Sequence, residues 1–352
     1  MRIAVASTRA RLYKLQVLVV VNLSVERPAW ALPPELLAKL RDGFPEVEFH
    51  WNQQQRDYFR RAAEAEVIWG LQLSNDILEL AAKLKWFHSY AAGVRESISP
   101  NAIKRKLVIT NSSAVHAPVV SEHALAMLFS HFRRLGVITA SQHAHRWGKD
   151  EFQDGFKALR SFDGMTCGIF GYGAIGSRLA SILRVMGSRV FVYRRNLVPA
   201  SNADAVFTNG EFERMLSQCD LVINTLPDTA GTEGFFDAGK FRMMKHGAVF
   251  ASIGRGGTVD ERALALALGY DEKHAKWAED GWLSWALLDV YAEEPLPPGS
   301  PLWSAPNISI SPHVASVSPG FWPKECALFG ANLRRYLNRE PLQEQVDLEA
   351  GY

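Results

Sequence analysis

Three glycines, a pair of arginines and a few polar residues far downstream carry the chemistry this sequence offers. The stretch "GYGAIG" sets Gly171, Gly173 and Gly176 in a GxGxxG spacing, with an apolar run before it and the helical pattern "AIGSRLASILRVM" after it. Between a strand and a helix, Gly171 permits the tight turn, Gly173 lets the backbone approach a pyrophosphate, and Gly176 lets helix and strand pack closely. The first helical positions, Ala174 and Ile175, then offer N–H groups and the positive end of the helix dipole to the phosphates. Eighteen residues beyond Gly176 stands Arg194, with Arg195 beside it, at the end of the strand-like run "RVFVYRRN". An acid at this strand end would accept from a ribose 2′-hydroxyl, whereas a 2′-phosphate repels an acid and is gripped by a guanidinium. Two charge-assisted bonds of about 1.5 kcal/mol each favour NADP(H) over NAD(H) by about a hundredfold. Further on, "ASIGRGGTVDERAL" (251–264), "LLDVYAEEPLPPGSPLW" (287–303) and "SPHVAS" (311–316) hold an arginine, paired glutamates and a histidine. Each falls at or just after a predicted strand, where open α/β sheets bind their ligands.

These groups need a scaffold, and the chain is long enough for one. Its 352 residues, 47% of them hydrophobic, suffice for two domains. A net charge of +2, with Lys and Arg scattered, excludes a nucleic-acid or membrane-surface protein as the expected class. Three widely spaced cysteines, Cys167, Cys219 and Cys326, form no CxxC or His/Cys pattern, so no metal site or disulfide framework is expected and the cytoplasm is the expected compartment. The opening "MRIAVASTRARLYK" is basic, but the run after it, "LQVLVVVNL" (15–23), is too short to span a bilayer and lacks a small-residue cleavage site. It reads as a strand buried on both faces, preceded by a frayed extension rather than a signal peptide.

Strand-like runs at 16–23, 47–50, 65–70, 86–90 and 107–110 alternate with helical patterns such as "PPELLAKLRDGF" (33–44). The helical stretch "SEHALAMLFSHFRRL" (121–135), with Ser121 as its N-cap, and a polar stretch (141–164) lead to a second alternation. Its strands are expected at 166–171, 188–193, 220–226, 247–254, 285–290 and 307–312, and a last helix at 319–340 is placed to return to the first unit. The fold class is therefore α/β, with parallel sheets covered by helices.

Several motifs then recur together and in order: "AAGV" (91–94), "SEHALAML" (121–128), "GYGAIG" (171–176), "GRGGTVDERAL" (254–264), "LDVYAEEPLPPGSPLW" (288–303), "SPHVAS" (311–316) and "VDLEAGY" (346–352). Through them nearly the whole chain resembles the D-isomer-specific 2-hydroxyacid dehydrogenases. The resemblance implies a flavodoxin-like substrate domain (1–116 and 320–352) and a Rossmann-like dinucleotide-binding domain (117–319), with the active site in the cleft between them. It implies that Arg255 holds the carboxylate and carbonyl oxygen of a small 2-keto or D-2-hydroxy acid. His313 would exchange a proton with the substrate oxygen during hydride transfer, paired with Glu294 rather than Glu293. It further implies substrate contacts at Ala92, Gly93 and Val94, cofactor contacts at Leu226, Pro227, Ile253 and Asp289, and a homodimer built around the "SEHALAML" region.

The chemistry of these residue types agrees. Reducing a 2-keto acid requires a proton donor at the oxygen as hydride reaches the carbon, and histidine serves both directions. A substrate carboxylate suits arginine's planar, always-charged fork better than lysine. Tyr58, Trp303 and Trp322 are aromatics that either line the pocket or belong to the core. Two features depart from the family pattern: the longer connection "GYDEKHAKWAED" (269–280) and the Arg194–Arg195 pair, which resembles the NADPH-preferring reductases of the family. The expectation is thus an NADP(H)-dependent reductase of the glyoxylate or hydroxypyruvate type. The alternative is a non-enzymatic dinucleotide-sensing, corepressor-like protein on the same fold. A formate dehydrogenase is disfavoured because those enzymes carry glutamine where Glu294 stands.

Overall fold

The computed structural model describes residues 17–23, 27–51, 55–278 and 281–352. The expected extension over residues 1–14 and the first two residues of the 15–23 run lie outside them. The chain divides into two compact units, Met1–Asn111 with Trp322–Leu348, and Ser112–Phe321 with Glu349–Tyr352.

The first unit is a five-stranded parallel sheet of β1 (Val17–Asn22), β2 (Val47–Trp51), β3 (Val67–Gly70), β4 (Trp86–Ser89) and β5 (Val108–Thr110), in the order β2-β1-β3-β4-β5. This 2-1-3-4-5 order is the flavodoxin-like arrangement. The valine run of β1 is buried on both faces, as strands covered by helices on each side require. The helix Phe321–Asn338 packs here through Phe329, whose ring stacks on Trp69 and Trp86 with centroids 4.2 and 5.2 Å away. On the same helix the buried Glu325 carboxylate accepts from the Trp69 indole (2.9 Å) and faces His88 Nε2 (3.0 Å). A carboxylate without water is tolerable only with partners of this kind.

The second unit is a seven-stranded parallel sheet. Its strands are β6 (Thr166–Phe170), β7 (Arg189–Tyr193), β8 (Ala205–Phe207), β9 (Leu221–Asn224) and β10 (Val249–Ser252). A hairpin of β11 (Tyr270–Asp271) and β12 (Lys276–Trp277) stands apart from the sheet, before β13 (Trp285–Leu288) and β14 (Ile308–Ile310). The sheet order β14-β13-β10-β9-β6-β7-β8 reverses direction at β6, the topological switch point of a Rossmann sheet. Successive residues alternate between its two faces. Phe170, Phe191, Val222 and Phe250 enter one core, while Ile169, Val192, Ile223 and Ala251 enter the other. Among the described residues no helix is long and apolar enough to cross a membrane.

Two local expectations are corrected. Ser121 is not an N-cap: the helix runs Ser113–Phe132 and Ser121 is buried within it. The apolar face from Ala117 through Val120, Ala124, Leu125 and Leu128 to Phe132 carries the helix across Pro118, which would otherwise break it. The edge strand β8 had no counterpart among the expected runs; its three residues pair with β7 and only Phe207 is fully buried. The longer 269–280 connection forms the β11–β12 hairpin, with residues 279 and 280 outside the described set, and Arg262 holds Glu272 in it with two hydrogen bonds of 2.5 and 2.7 Å.

Candidate active site

In the second unit every candidate residue lies just past the C-terminal end of a parallel strand, so all share one edge of the sheet. Gly171 follows β6, Arg194 and Arg195 follow β7, Leu226 and Pro227 follow β9, Ile253 and Arg255 follow β10, Asp289 follows β13, and His313 follows β14.

The glycine turn has the geometry its spacing requires. Gly171 adopts φ +95°, in the left-handed region. A β-carbon on Gly176 would overlap the Gly171 carbonyl oxygen, whereas one on Gly173 would meet nothing within 4 Å. The helix Ala174–Val185 starts without a side-chain cap from Gly173, so its first amides face a backbone cradle that a bare main chain lines. This turn therefore fits a dinucleotide pyrophosphate. Arg194 donates to the Val198 carbonyl (3.3 Å) and lies over the Tyr172 ring, 5.8 Å from its centroid; Arg195 donates to the Tyr352 hydroxyl. Neither of these bonds involves a carboxylate.

His313 and Glu294 come together across the ends of two strands. His313 Nδ1 lies 2.6 Å from Glu294 Oε2, and Glu294 Oε1 accepts from the Tyr291 amide at 2.9 Å. The pair is part-exposed, with side-chain exposures of 40% and 35%, so it has access to a substrate from solvent. Glu293 makes no part of this contact. His313 takes φ +52°, a sparsely populated conformation for a side-chain-bearing residue. Asp289 fixes the backbone around it: Oδ1 accepts from Ser311 Oγ (2.6 Å) and the Val314 amide (3.1 Å), and Oδ2 from the Ala315 amide (3.1 Å). Burial alone would raise the Asp289 carboxyl, but His123, the Ser311 hydroxyl and the two amides together hold it below the usual carboxylate range. It therefore stays an acceptor for that loop at neutral pH. Tyr291 completes the frame by donating its hydroxyl to the Leu288 and Ser311 carbonyls at 3.1 and 3.0 Å.

Arg255 leaves β10 in extended backbone, and its Nη1 donates to the Gly254 carbonyl at 2.8 Å. Its own carbonyl accepts from Thr258 Oγ1 at 2.6 Å. The next residue, Gly256, packs so tightly on the Tyr291 carbonyl that a β-carbon would overlap it, and only glycine fits. The Arg255 turn thus rests directly on the loop that carries Glu294. Glu261 locks the same contact by accepting from the Ala292 amide at 2.7 Å. Burial pushes the Glu261 carboxyl up against the pull of that amide, and the charges of Glu294 and Glu293 add to the rise.

Sequence reasoning passed over the residues that hold these loops. Asn224, fully buried, donates to Ser252 Oγ (3.0 Å) and Thr258 Oγ1 (2.7 Å) and accepts from the Leu226 amide (3.1 Å). It ties the ends of β9 and β10 together. His123 Nε2, 2.9 Å from Ser311 Oγ, supports the His313 loop from the helix Ser113–Phe132. His123 lay inside a quoted motif and Asn224 inside an expected strand, yet nothing in their local spacing marked a role.

In the first unit, Ala92, Gly93 and Val94 form the turn after β4; Asn111 donates to the Ala92 carbonyl at 2.9 Å and Val94 is buried. The three aromatics each have their own surroundings. Tyr58 is in the core of the first unit, where burial raises its hydroxyl to about 12. Trp322 packs on Trp69 and Tyr90, and Trp303 is exposed with its indole donating to the Pro297 carbonyl.

Comparison with known proteins identifies the family and the fold. The family described as "D-isomer specific 2-hydroxyacid dehydrogenase, NAD binding domain" matches residues 125–315. A glyoxylate reductase from Korarchaeum cryptofilum is 30% identical over 249 residues, 69% of this chain and 70% of that protein. Among solved structures, a D-isomer specific 2-hydroxyacid dehydrogenase family protein from Aeromonas salmonicida is 27% identical, covering 95% of this chain and 99% of its own with a TM-score of 0.78. A probable 2-hydroxyacid dehydrogenase from Rhizobium etli, in complex with NADP, HEPES and L(+)-tartaric acid, is 25% identical over 96% of this chain and 99% of its own, with a TM-score of 0.74.

Proposed function

The chain belongs to the D-isomer specific 2-hydroxyacid dehydrogenase family and is an NAD(P)-dependent oxidoreductase; from that premise we propose that it reduces a small 2-keto acid of the glyoxylate or hydroxypyruvate type with NADPH. The observation that carries the reading is the His313–Glu294 pair, 2.6 Å apart, at the same sheet edge as the glycine turn and the Arg255 loop.

The roles follow from that pair. Glu294 holds Nδ1 of His313, which fixes the ring and leaves Nε2 to give a proton to the substrate oxygen. Arg255 grips the substrate carboxylate and carbonyl oxygen. In the first unit, the backbone amides of Ala92, Gly93 and Val94 are candidate anion donors in their own right. The turn Gly171–Gly176 receives the pyrophosphate, and Leu226, Pro227, Ile253 and Asp289 line the ribose and nicotinamide end. A nicotinamide dinucleotide held by these residues would supply the hydride for the carbonyl carbon. Purified protein supplied with glyoxylate or hydroxypyruvate is expected to consume NADPH. No turnover with either acid, together with tight dinucleotide binding, would instead favour a sensing role.

Arg194 and Arg195 carry the choice of NADPH over NADH, and the NADP held by the Rhizobium etli relative supports it. Replacing both with Ser should lower the ratio of kcat/KM for NADPH to that for NADH by about a hundredfold. Wild-type protein working better with NADH would reverse the cofactor assignment.

The reading also includes a homodimer. Phe129 near the end of the helix Ser113–Phe132, and Leu135 and Ile138 in the helix Leu135–His143, are exposed large apolar residues, as an interface between copies would require. Sedimentation of the wild type should give twice the chain mass, and a monomer at micromolar concentration would remove this part. The cytoplasmic placement rests on cysteine usage and accords with three free, buried thiols.

A further inference from the structure

The segment Glu349–Tyr352 belongs to the second unit, although residues 322–348 belong to the first. It touches both loops that flank the glycine turn. On one side a β-carbon at Gly351 would lie 3.2 Å from Thr229 Cγ2, so the segment runs against the loop after β9. That loop is stiffened by Thr232, whose hydroxyl donates to the Pro227 carbonyl at 2.6 Å. On the other side Tyr352 reaches the end of β7. Arg195 Nη2 donates to the Tyr352 hydroxyl at 3.0 Å, and its guanidinium carbon lies 5.2 Å from the centroid of the same ring. Gly351 takes φ +85°, a left-handed turn that a side-chain-bearing residue rarely adopts, immediately before Tyr352. Because β9 and β7 are the two neighbours of β6 in the sheet, the segment spans the rim of the switch-point crevice.

We infer that Tyr352 is a cofactor-specificity residue that positions the Arg195 guanidinium to receive the 2′-phosphate of NADPH. The inference rests on the cofactor reading proposed above. An exposed arginine has several free side-chain torsions, and freezing them on binding a phosphate opposes the gain from the contact. A ring under the guanidinium and a hydroxyl at Nη2 hold it before the ligand arrives, while its other N–H groups stay open to an anion. Arg194 is held in a matching way over Tyr172, so both arginines present guanidinium groups braced on an aromatic ring.

The test compares wild type, Tyr352→Phe and Tyr352→Ala with NADPH and NADH, and by calorimetry with adenosine 2′,5′-bisphosphate and AMP. Tyr352→Ala is expected to lower the NADPH:NADH ratio of kcat/KM, and the bisphosphate:AMP affinity ratio, by about three- to tenfold. Tyr352→Phe keeps the ring and loses the hydroxyl, so it should fall between; a tyrosine that only stabilised the fold would shift both cofactors alike and leave both ratios unmoved. Wild type preferring the bisphosphate, with the same preference in Tyr352→Ala, would overturn the tyrosine's role while leaving the cofactor reading intact. A rise in bisphosphate affinity in Tyr352→Ala would show that the ring obstructs the phosphate, also against the inference. No preference in the wild type would overturn both the inference and the reading under it.

Discussion

Replacing His313 with Asn should lower kcat for keto-acid reduction by about 10²- to 10⁴-fold, the range expected when a positioned proton donor is removed. Asn is the informative choice because the backbone at this position is left-handed, at φ +52°, and Asn tolerates that conformation better than Ala or Gln. The frame around the position survives the change: the Ser311 hydroxyl and the Val314 and Ala315 amides still converge on Asp289, and Tyr291 still donates to the Ser311 carbonyl. What is lost is the ring nitrogen opposite the one that Glu294 holds at 2.6 Å. Glu294→Gln keeps the shape but replaces the charged acceptor that orients the ring at Nδ1, so it should fall between wild type and His313→Asn. Steady-state kinetics with the best keto acid, alongside a fluorescence titration of NADPH, separates the lost proton transfer from lost cofactor. A kcat within tenfold of wild type for His313→Asn would put the proton donor elsewhere.

How far such a site can be read from a sequence is set by how its parts are signalled. The strands were legible because a parallel sheet covered on both faces demands short, branched apolar runs such as Val19–Val21, and these contrast with their polar flanks. The glycine turn was legible because its spacing is fixed: Gly171 and Gly176 answer close contacts within the turn, and Gly173 leaves open space beside the backbone. Arg255, Glu294 and His313 were legible through motifs, not through any local pattern of their own. The supporting polar contacts were not legible. Asn224 bonds a hydroxyl 34 residues away and Asp289 one 22 residues away, so the partner of each becomes visible only when strands β9, β10, β13 and β14 align. Likewise Glu325 reads as a surface charge on a helix until Trp69, 256 residues earlier, is found donating to it. The β8 strand escaped notice for a different reason: three residues at a sheet edge, with one fully buried, leave too little periodicity to detect.

Arg255→Gln should lower kcat/KM for the keto acid by about 10²- to 10⁴-fold, since two charge-assisted hydrogen bonds of about 1.5–3 kcal/mol each are lost. The guanidinium's bond to the Gly254 carbonyl is one of several holds on this turn. Thr258 caps the Arg255 carbonyl, Gly256 is wedged on Tyr291, and Asn224 binds the hydroxyls of Ser252 and Thr258, and these holds remain when the guanidinium is removed. Arg255→Lys then separates charge from shape. Lysine restores a cation but brings a point charge in place of a planar fork, so about 10- to 100-fold of the loss should remain. The division between constants identifies what the fork touches. An arginine that holds only the carboxylate binds ground and transition states alike, and its loss raises KM. One that also meets the carbonyl oxygen, where negative charge grows as hydride arrives, lowers kcat as well, and that is the expected outcome. Stopped-flow or steady-state kinetics over a full substrate range reads both constants. A kcat/KM within threefold of wild type for Arg255→Gln would remove this guanidinium from the substrate, and the anion would then have to be held by other groups.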